Sequence, residues 1–371
     1  MRLFARKVSP FAPAPVEAPA SLKLPQTPVP DSATRNPGTA KRRFRRRWLG
    51  LDVGSSTVKV VELSRVDGSY QVEACAVEPM PPGSVVAENI SDARAVGEAI
   101  RNACRRAGVK PKKVCASIRN SAIVTKTLEM DATLDDRQLE AEVTREAERH
   151  IPFPLEDVAI DFEPMHLSAR DPSKVDVLLV ACRVEYIAQR LEAAELAGLG
   201  LDIVDVESHG AHHAILTAAG SGTPVALADI GAATTTVMVV DGDNAVTREE
   251  PFDLRAATIG EFRADSPASG RAVEASTVDS LLALLTRLLR LVLLASPVDS
   301  VDRLLLAGGG AAIPGLAEGA AARLGIAVEV ADAFHGMTVS ARTDRAPLAE
   351  FAPALFTACG LAVRGFAGNR T

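Results

Sequence analysis

The chain has 371 residues, 47% of them apolar and only 4% aromatic, enough for two or more domains with cores of Leu, Val and Ala. Its net charge of −6 hides a split: residues 1–47 hold eleven Lys/Arg against Glu17 and Asp31, a surplus of +9 on a remainder of −15. Five scattered cysteines without a C-x-x-C pair argue against a disulfide framework or zinc site and for reduced thiols in a cytosolic protein; no signal-peptide core opens the chain, and its longest greasy run, 281–296, is too short to span a bilayer.

Residues 1–40 hold eight prolines and no sustained periodicity, a composition that cannot bury enough surface to offset chain entropy, so disorder is expected over 1–46. The segment ends in "KRRFRRRW", 41–48. It reads either as a solvated linker or as a contact for anionic lipid through residues 41–47. Nucleic acid is the less favoured partner, because no helix-turn-helix, zinc finger or aromatic RNA-binding signature accompanies the charge.

"WLGLDVGSSTVKVVELS", 48–64, reads as two apolar strands joined at one glycine and two serines, and "YQVEACAVEPM", 70–80, alternates like a third strand. A helix over 92–108 stopped by Gly108 follows, then short strands at 113–118 and 122–130. A charged helix is expected over 133–151, with Thr133 as its N-cap. Pro152 and Pro154 end it. Strands in "DVAIDF" and at 174–183 and a helix over 185–198 complete a β-α-β-β-α unit over 122–200. A strand at 201–208 and a helix lead to "VALADIGAATTTVMVV", which repeats the first hairpin: Asp229-Ile-Gly231 stands 177 positions after Asp52-Val-Gly54. The run 281–296 carries Arg287 and Arg290 three apart, as on one face of a mostly buried amphipathic helix. A last glycine element is strand, Gly308-Gly309-Gly310, helix, within 303–325.

The repeat carries the chemistry. Glycine lets the backbone turn tightly and approach a ligand, and successive N–H groups with small hydroxyls form a nest for phosphate oxygens. Such a nest is expected from Gly54, Ser55, Ser56 and Thr57 in the first hairpin and from Gly231, Thr234 and Thr235 in the second. Asp52 and Asp229 would reach Mg²⁺ through waters, and Lys59 would add a point charge on a phosphate. Two such turns facing each other can clamp a polyphosphate. Gly308, Gly309 and Gly310 would let a nucleoside lie against the backbone. His209, His212 and His213 read as a partly exposed helix surface, since nothing completes a metal site around them.

Two Asp-x-Gly hairpins and a late strand-GGG-helix resemble the phosphate-1, phosphate-2 and adenosine elements of the actin/Hsp70/sugar-kinase ATPases. Within that superfamily the chain resembles the PilM family of type IV pilus assembly, through "LGLDVGSSTVKVVELS", "EAERHIPFPLEDVAIDF", "VLLVACR", "DIGAATTTVMVV", "RLLLAGGGAAIPGL" and "ALFTACGLAVRG". The resemblance implies a two-lobed α/β fold with an FtsA-like inserted subdomain: lobe I over 47–121, the insert over 122–200, a return to lobe I over 201–224, lobe II over 225–360 and a C-terminal tip over 361–371. It implies a cytoplasmic protein, peripheral at the inner membrane, that binds ATP with Mg²⁺ and is at most a slow ATPase, with Glu207 near the position that orients attacking water. It also implies binding of the cytoplasmic tail of a PilN-type membrane protein, alongside other platform proteins. Glu146, Pro152, Phe153, Pro154 and Leu155 would wall the groove for that tail, the prolines fixing a rigid corner. One departure stands out: only 52 positions separate Phe252 from Leu304, with no Glu-x-x-Lys element for ribose and adenine, so a shortened adenine-side wall and weakened ATP affinity are expected. An MSHA-type MshI component, an FtsA-like division protein and a sugar-kinase-type phosphotransferase are the alternatives.

Overall fold

In the computed structural model, the described residues are 2–3 and 46–367, apart from 87–88, 169, 220–221, 255–257, 260–271 and 345. In chain order the main elements are β1 (Arg47–Val53), β2 (Thr57–Val66), β3 (Ser69–Pro79), α1 (Ala93–Arg106) and β4 (Val114–Ile118). Then come β5 (Ile123–Asp131), α2 (Asp136–His150), β6 (Val158–Leu167), β7 (Lys174–Arg183), α3 (Val184–Leu196), β8 (Ile203–Val206) and α4 (Glu207–Ala219). The remainder holds β9 (Val225–Ile230), β10 (Thr234–Asp241), β11 (Asn244–Pro251), α5 (Ala275–Ala295), β12 (Arg303–Ala307), α6 (Leu316–Leu324), β13 (Ala327–Val330), α7 (Ala346–Phe351) and α8 (Phe356–Ala367).

The internal repeat becomes two sheets of one topology. Lobe I has the order β8-β4-β1-β2-β3 within a seven-stranded sheet whose edges are Arg2–Leu3 and Thr338–Val339, and lobe II the order β13-β12-β9-β10-β11. Each begins as an antiparallel meander of three strands and grows on one side by two parallel strands. Parallel additions need crossover segments, which cover the sheet faces, so β1 and β9 read as nearly continuous apolar runs. In lobe I, Leu49, Leu51, Val58 and Val60 face α1. Trp48, Val61 and Leu63 face the other way, onto α8. In lobe II, Ala226, Ala228 and Ile230 face α5, whereas Val225 and Leu227 face α4 and α8. Helices α4 and α8 thus lie between the lobes and join both inner faces in one apolar cluster.

That seam is built on glycine for lack of space. A Cβ on Gly360 would stand 1.7 Å from the carbonyl oxygen of Gly210, where α8 crosses α4, and one on Gly50 would stand 1.9 Å from the Ala358 carbonyl oxygen. Beneath the crossing, Asp205 is fully buried and accepts from Arg364 Nε at 2.5 Å and pairs with His209 Nδ1 at 2.9 Å. Burial opposes its charge, but His209 and Arg364 outweigh that and hold its carboxyl well below the ordinary range. His213 is pushed down to about 3 by burial and stays neutral, and His212 reaches the Gly242 carbonyl at 2.9 Å. The three histidines are packing and hydrogen-bonding groups here.

The insert is a separate three-stranded antiparallel sheet, β5-β7-β6, under α2. Its core of Leu139, Val143 and Ala147 meets Phe162, Val177 and Leu179, with Ile160 packed beside them. The N-cap of α2 is Asp135 rather than Thr133: Asp135 and Gln138 form a reciprocal capping box, while Thr133 bonds Asp131. Two boundaries move because of packing. Helix α3, expected with the insert, contributes Ile187, Ala193 and Ala194 to the lobe I cluster with α1. Residues 361–366, expected as part of a tip, are buried residues of α8 and fill the centre of the seam. Helix α5 is the expected amphipathic helix, with Leu281, Leu285 and Leu288 inside and Arg287 and Arg290 outside.

Residues 4–45 lie outside the described residues, so the expectation of a disordered tail does too. Arg2–Leu3 pair in parallel with Ile203–Val204 at the edge of lobe I. Of the basic run 41–47, Arg47 lies in β1, where it holds Glu62 at 2.9 Å and Glu73 at 3.1 Å and stays partly exposed. The five cysteines are free, and burial raises the thiols of Cys104 and Cys182 to about 11 and that of Cys75 to about 12. Among the described residues no helix is long and apolar enough to cross a membrane.

Candidate functional site

The two hairpin tips face each other across a cleft of about 510 Å³ between the lobes. The repeat holds down to one hydrogen bond. The Gly54 N–H donates to the Thr57 carbonyl at 3.0 Å, and the Gly231 N–H to the Thr234 carbonyl at 2.9 Å. A Cβ at either glycine would crowd that same carbonyl, at 3.2 and 3.0 Å. Gly308 at φ +82° closes the third turn; a Cβ there would meet Asp229 Oδ1 at 2.4 Å, and one on Gly310 would meet Ile230 Cγ2 at 2.3 Å. A Cβ added at Gly309 would meet nothing within 4 Å, and the residue lines the cleft.

Gly54, Ser55, Ser56, Thr57, Lys59, Glu207, Asp229, Gly231, Thr234, Gly308, Gly309 and Gly310 all line the cleft. Two expected residues do not. Strand alternation puts Thr234 and Thr236 on the cleft face and Thr235 on the other, where it is fully buried. Asp52 lies behind Lys59, 3% exposed, bonded to Lys59 Nζ at 2.9 Å and Ser117 Oγ at 2.9 Å. The Asp52 carboxylate is thus turned to that ammonium rather than to the cleft.

The two lobes differ at one chemically important position. Lys59 sits opposite Asp52 in the β1–β2 register, but Thr236 sits opposite Asp229 in the β9–β10 register. Burial alone would raise Asp52, and Lys59, Ser117 and Arg119 more than offset it, so its carboxyl is held below the ordinary value. Burial likewise opposes the Lys59 charge, but Asp52 holds the ammonium above its usual range. Asp229 is raised by burial, and its bond from Thr357 Oγ1 at 3.1 Å and the nearby Lys59 offset that only in part. Glu207 is raised to about 8, first by burial and then by Asp52, Asp229 and Glu249, against the opposing charge of Arg119; its Oε2 is buried without a hydrogen-bond partner.

Arg119 is the functional candidate that motif reading missed. It lies just past the end of β4, lines the cleft, and bonds Thr234 Oγ1 in the second hairpin. Its guanidinium also stands 3.5 Å from Glu249. No local pattern marks it, because its partners lie more than a hundred residues away. Leu254, Val273, Ile313, Phe351 and Pro353 give the cleft an apolar part of its lining, and Glu350 also lines it. The stretch where a shortened wall is expected falls largely on 255–257 and 260–271, outside the described residues.

On the insert, Pro152, Phe153 and Pro154 are exposed at the corner between α2 and β6, and the Arg183 guanidinium lies 5.4 Å over the Phe153 ring. Leu155 packs inward against the insert core, and Glu146 holds Arg149 at 2.8 Å on the outer face of α2. The corner is therefore a surface feature with one inward anchor.

The model for type IV pilus assembly protein PilM matches residues 50–258 and 272–366. Among solved structures, one described as the PilM–PilN type IV pilus biogenesis complex is similar at a TM-score of 0.71 and 26% identity, over 86% of this chain and 99% of that one. Diol dehydratase-reactivating factor in its nucleotide-free form is similar at a TM-score of 0.51 and 9% identity, over 86% of this chain and 99% of that one, a likeness of fold alone. Two duplicated lobes facing a hairpin-lined cleft, an inserted β-sheet subdomain and a family match over most of its length together make the chain a member of the PilM family of type IV pilus assembly proteins.

Proposed function

We propose that this chain is a nucleotide-binding adaptor on the cytoplasmic side of a type IV pilus inner-membrane platform. It takes ATP with Mg²⁺ in the cleft and the cytoplasmic tail of a PilN-type membrane protein beside the insert, and so meets other platform proteins peripherally at the membrane. The observation that carries the nucleotide reading is the pair of facing hairpins with matching Gly–Thr hydrogen bonds, Lys59 on one side and Gly309 on the other. Asp229 and Glu207 line the cleft with Lys59 and Arg119, and Asp52 and Glu249 stand behind those two cations, so a divalent cation would offset the carboxylates that a polyphosphate meets. Asp229 and Glu207 face the cleft and would hold that cation through its water shell, and the unpartnered Glu207 Oε2 fits this role. The ion would supply charge screening between carboxylates and phosphate oxygens. Burial and the neighbouring carboxylates raise Glu207 to about 8, and a cation bound beside it would favour its charged form.

The tail reading is supported by the likeness to a solved PilM–PilN complex and by the exposed Phe153 corner. Calorimetry with MgATP, and separately with a synthetic peptide of a PilN-type tail, tests both halves. Asp229→Ala should weaken MgATP binding without affecting the peptide. Phe153→Ala and Glu146→Lys should weaken the peptide without affecting MgATP. Absence of any MgATP binding by the wild type overturns the first half; peptide affinity indifferent to both insert variants overturns the docking site.

A further inference from the structure

The repeat leaves lobe II without the cation that lobe I has. Lys59 stands in register with Asp52, whereas the equivalent strand position opposite Asp229 is Thr236. A triphosphate held between the hairpins would meet an ammonium on one side only. Arg119 makes up the difference from outside the repeat: it belongs to lobe I but reaches the tip of the lobe II hairpin, bonding Thr234 Oγ1, with its side chain 11% exposed. Its next two neighbours also grip lobe II. Ser121 Oγ donates to Glu249 at 3.0 Å and Asn120 Nδ2 to the same carboxylate at 3.4 Å, while Asn120 Oδ1 accepts from the Ser208 N–H at 3.1 Å. Three consecutive residues, just before β5 opens the insert, therefore clasp one carboxylate and one hydroxyl across the cleft.

We propose that Arg119 binds the terminal phosphate of a nucleoside triphosphate, exchanging its longer contact with Glu249 for phosphate oxygens, so that the cleft discriminates triphosphate from diphosphate. The inference rests on the nucleotide reading above and adds a residue and a specificity to it. The chemistry favours the exchange. A guanidinium presents a planar fork suited to two phosphate oxygens, and its separation from Glu249 is 3.5 Å, long for a charge-assisted bond. Thr234 Oγ1, on the hairpin tip, holds the fork on the side of the cleft where the phosphates would lie. Glu249 acts as the competitor that holds the arginine when no terminal phosphate is present.

The two sides of that competition give opposite expectations. By calorimetry on the full chain, Arg119→Ala should weaken MgATP at least tenfold and leave MgADP within about twofold, and Arg119→Lys, which keeps the charge but not the fork, should fall between it and the wild type. Glu249→Gln should tighten MgATP severalfold and leave MgADP unchanged, and a melting curve on each variant reports whether it is folded. If folded Arg119→Ala and Arg119→Lys lose MgATP and MgADP equally, or lose neither, or if Glu249→Gln weakens MgATP, the Arg119 assignment fails while the nucleotide site stands. If the wild type binds neither nucleotide, both fail.

Discussion

Replacing Glu207 by Gln keeps the side-chain shape and removes its titration. The carboxyl faces Arg119 and Lys59 as cations and Asp52, Asp229 and Glu249 as anions, and burial with the three anions raises it from 4.5 to about 8. The folded chain thus keeps a proton that the unfolded chain releases between those values, so stability falls as pH rises through that window. The cost is absent below about 4.5 and complete above about 8. Each pKa unit is worth ~1.4 kcal/mol, which sets a ceiling of ~5 kcal/mol. Solvent reaching the cleft screens part of it, leaving ~2–3 kcal/mol. Guanidinium unfolding of both proteins at pH 5 and pH 9 measures the difference. The wild type and Glu207→Gln should unfold at similar midpoints at pH 5, and the variant should be the more stable at pH 9. A gap that is equal at both pH values, or a wild type that gains on the variant as pH rises, would refute a buried, crowded Glu207.

Gly360→Ala should destabilise the fold by at least ~3 kcal/mol, because its methyl would overlap the Gly210 carbonyl and force α4 and α8 apart; Gly200→Ala, with nothing within 4 Å, should change stability by less than ~0.5 kcal/mol, and equal denaturation midpoints for the two variants would show that the seam is not close-packed. Arg364→Met should cost ~3–5 kcal/mol at pH 7 by leaving Asp205 charged and buried with only His209 and the Val206 N–H bonded to its carboxylate. Because the Asp205 carboxyl is held below its unfolded value of 3.8, the stabilisation is present above that pH and lost below it, so the gap to the wild type should narrow in acid unfolding curves; a gap that widens toward pH 3 contradicts this.

Most of the fold was legible in the sequence because its signals are local. Each Asp-x-Gly hairpin shows its strands and its glycine within twenty residues, and the two copies announce a duplicated lobe. The Pro152–Pro154 corner likewise marks the insert, since proline stops a helix wherever it stands. What the sequence did not decide were the choices between neighbours far apart in the chain. Helix α3 follows the insert but packs on α1, and α8 lies in the seam between the lobes, because an apolar helix face does not specify which sheet will bury it. The motif named Asp52, but the register that puts Lys59 in front of it exists only once β1 and β2 pair. The motif named Thr234 and Thr235, but the β9–β10 pairing turns Thr235 away from the cleft and Thr236 into it. Arg119 carried no motif at all. Its place beside Thr234 and Glu249 arises only when the lobes face each other, since the cation and its partners lie on different lobes and charge attraction depends on distance in space, not on separation along the chain.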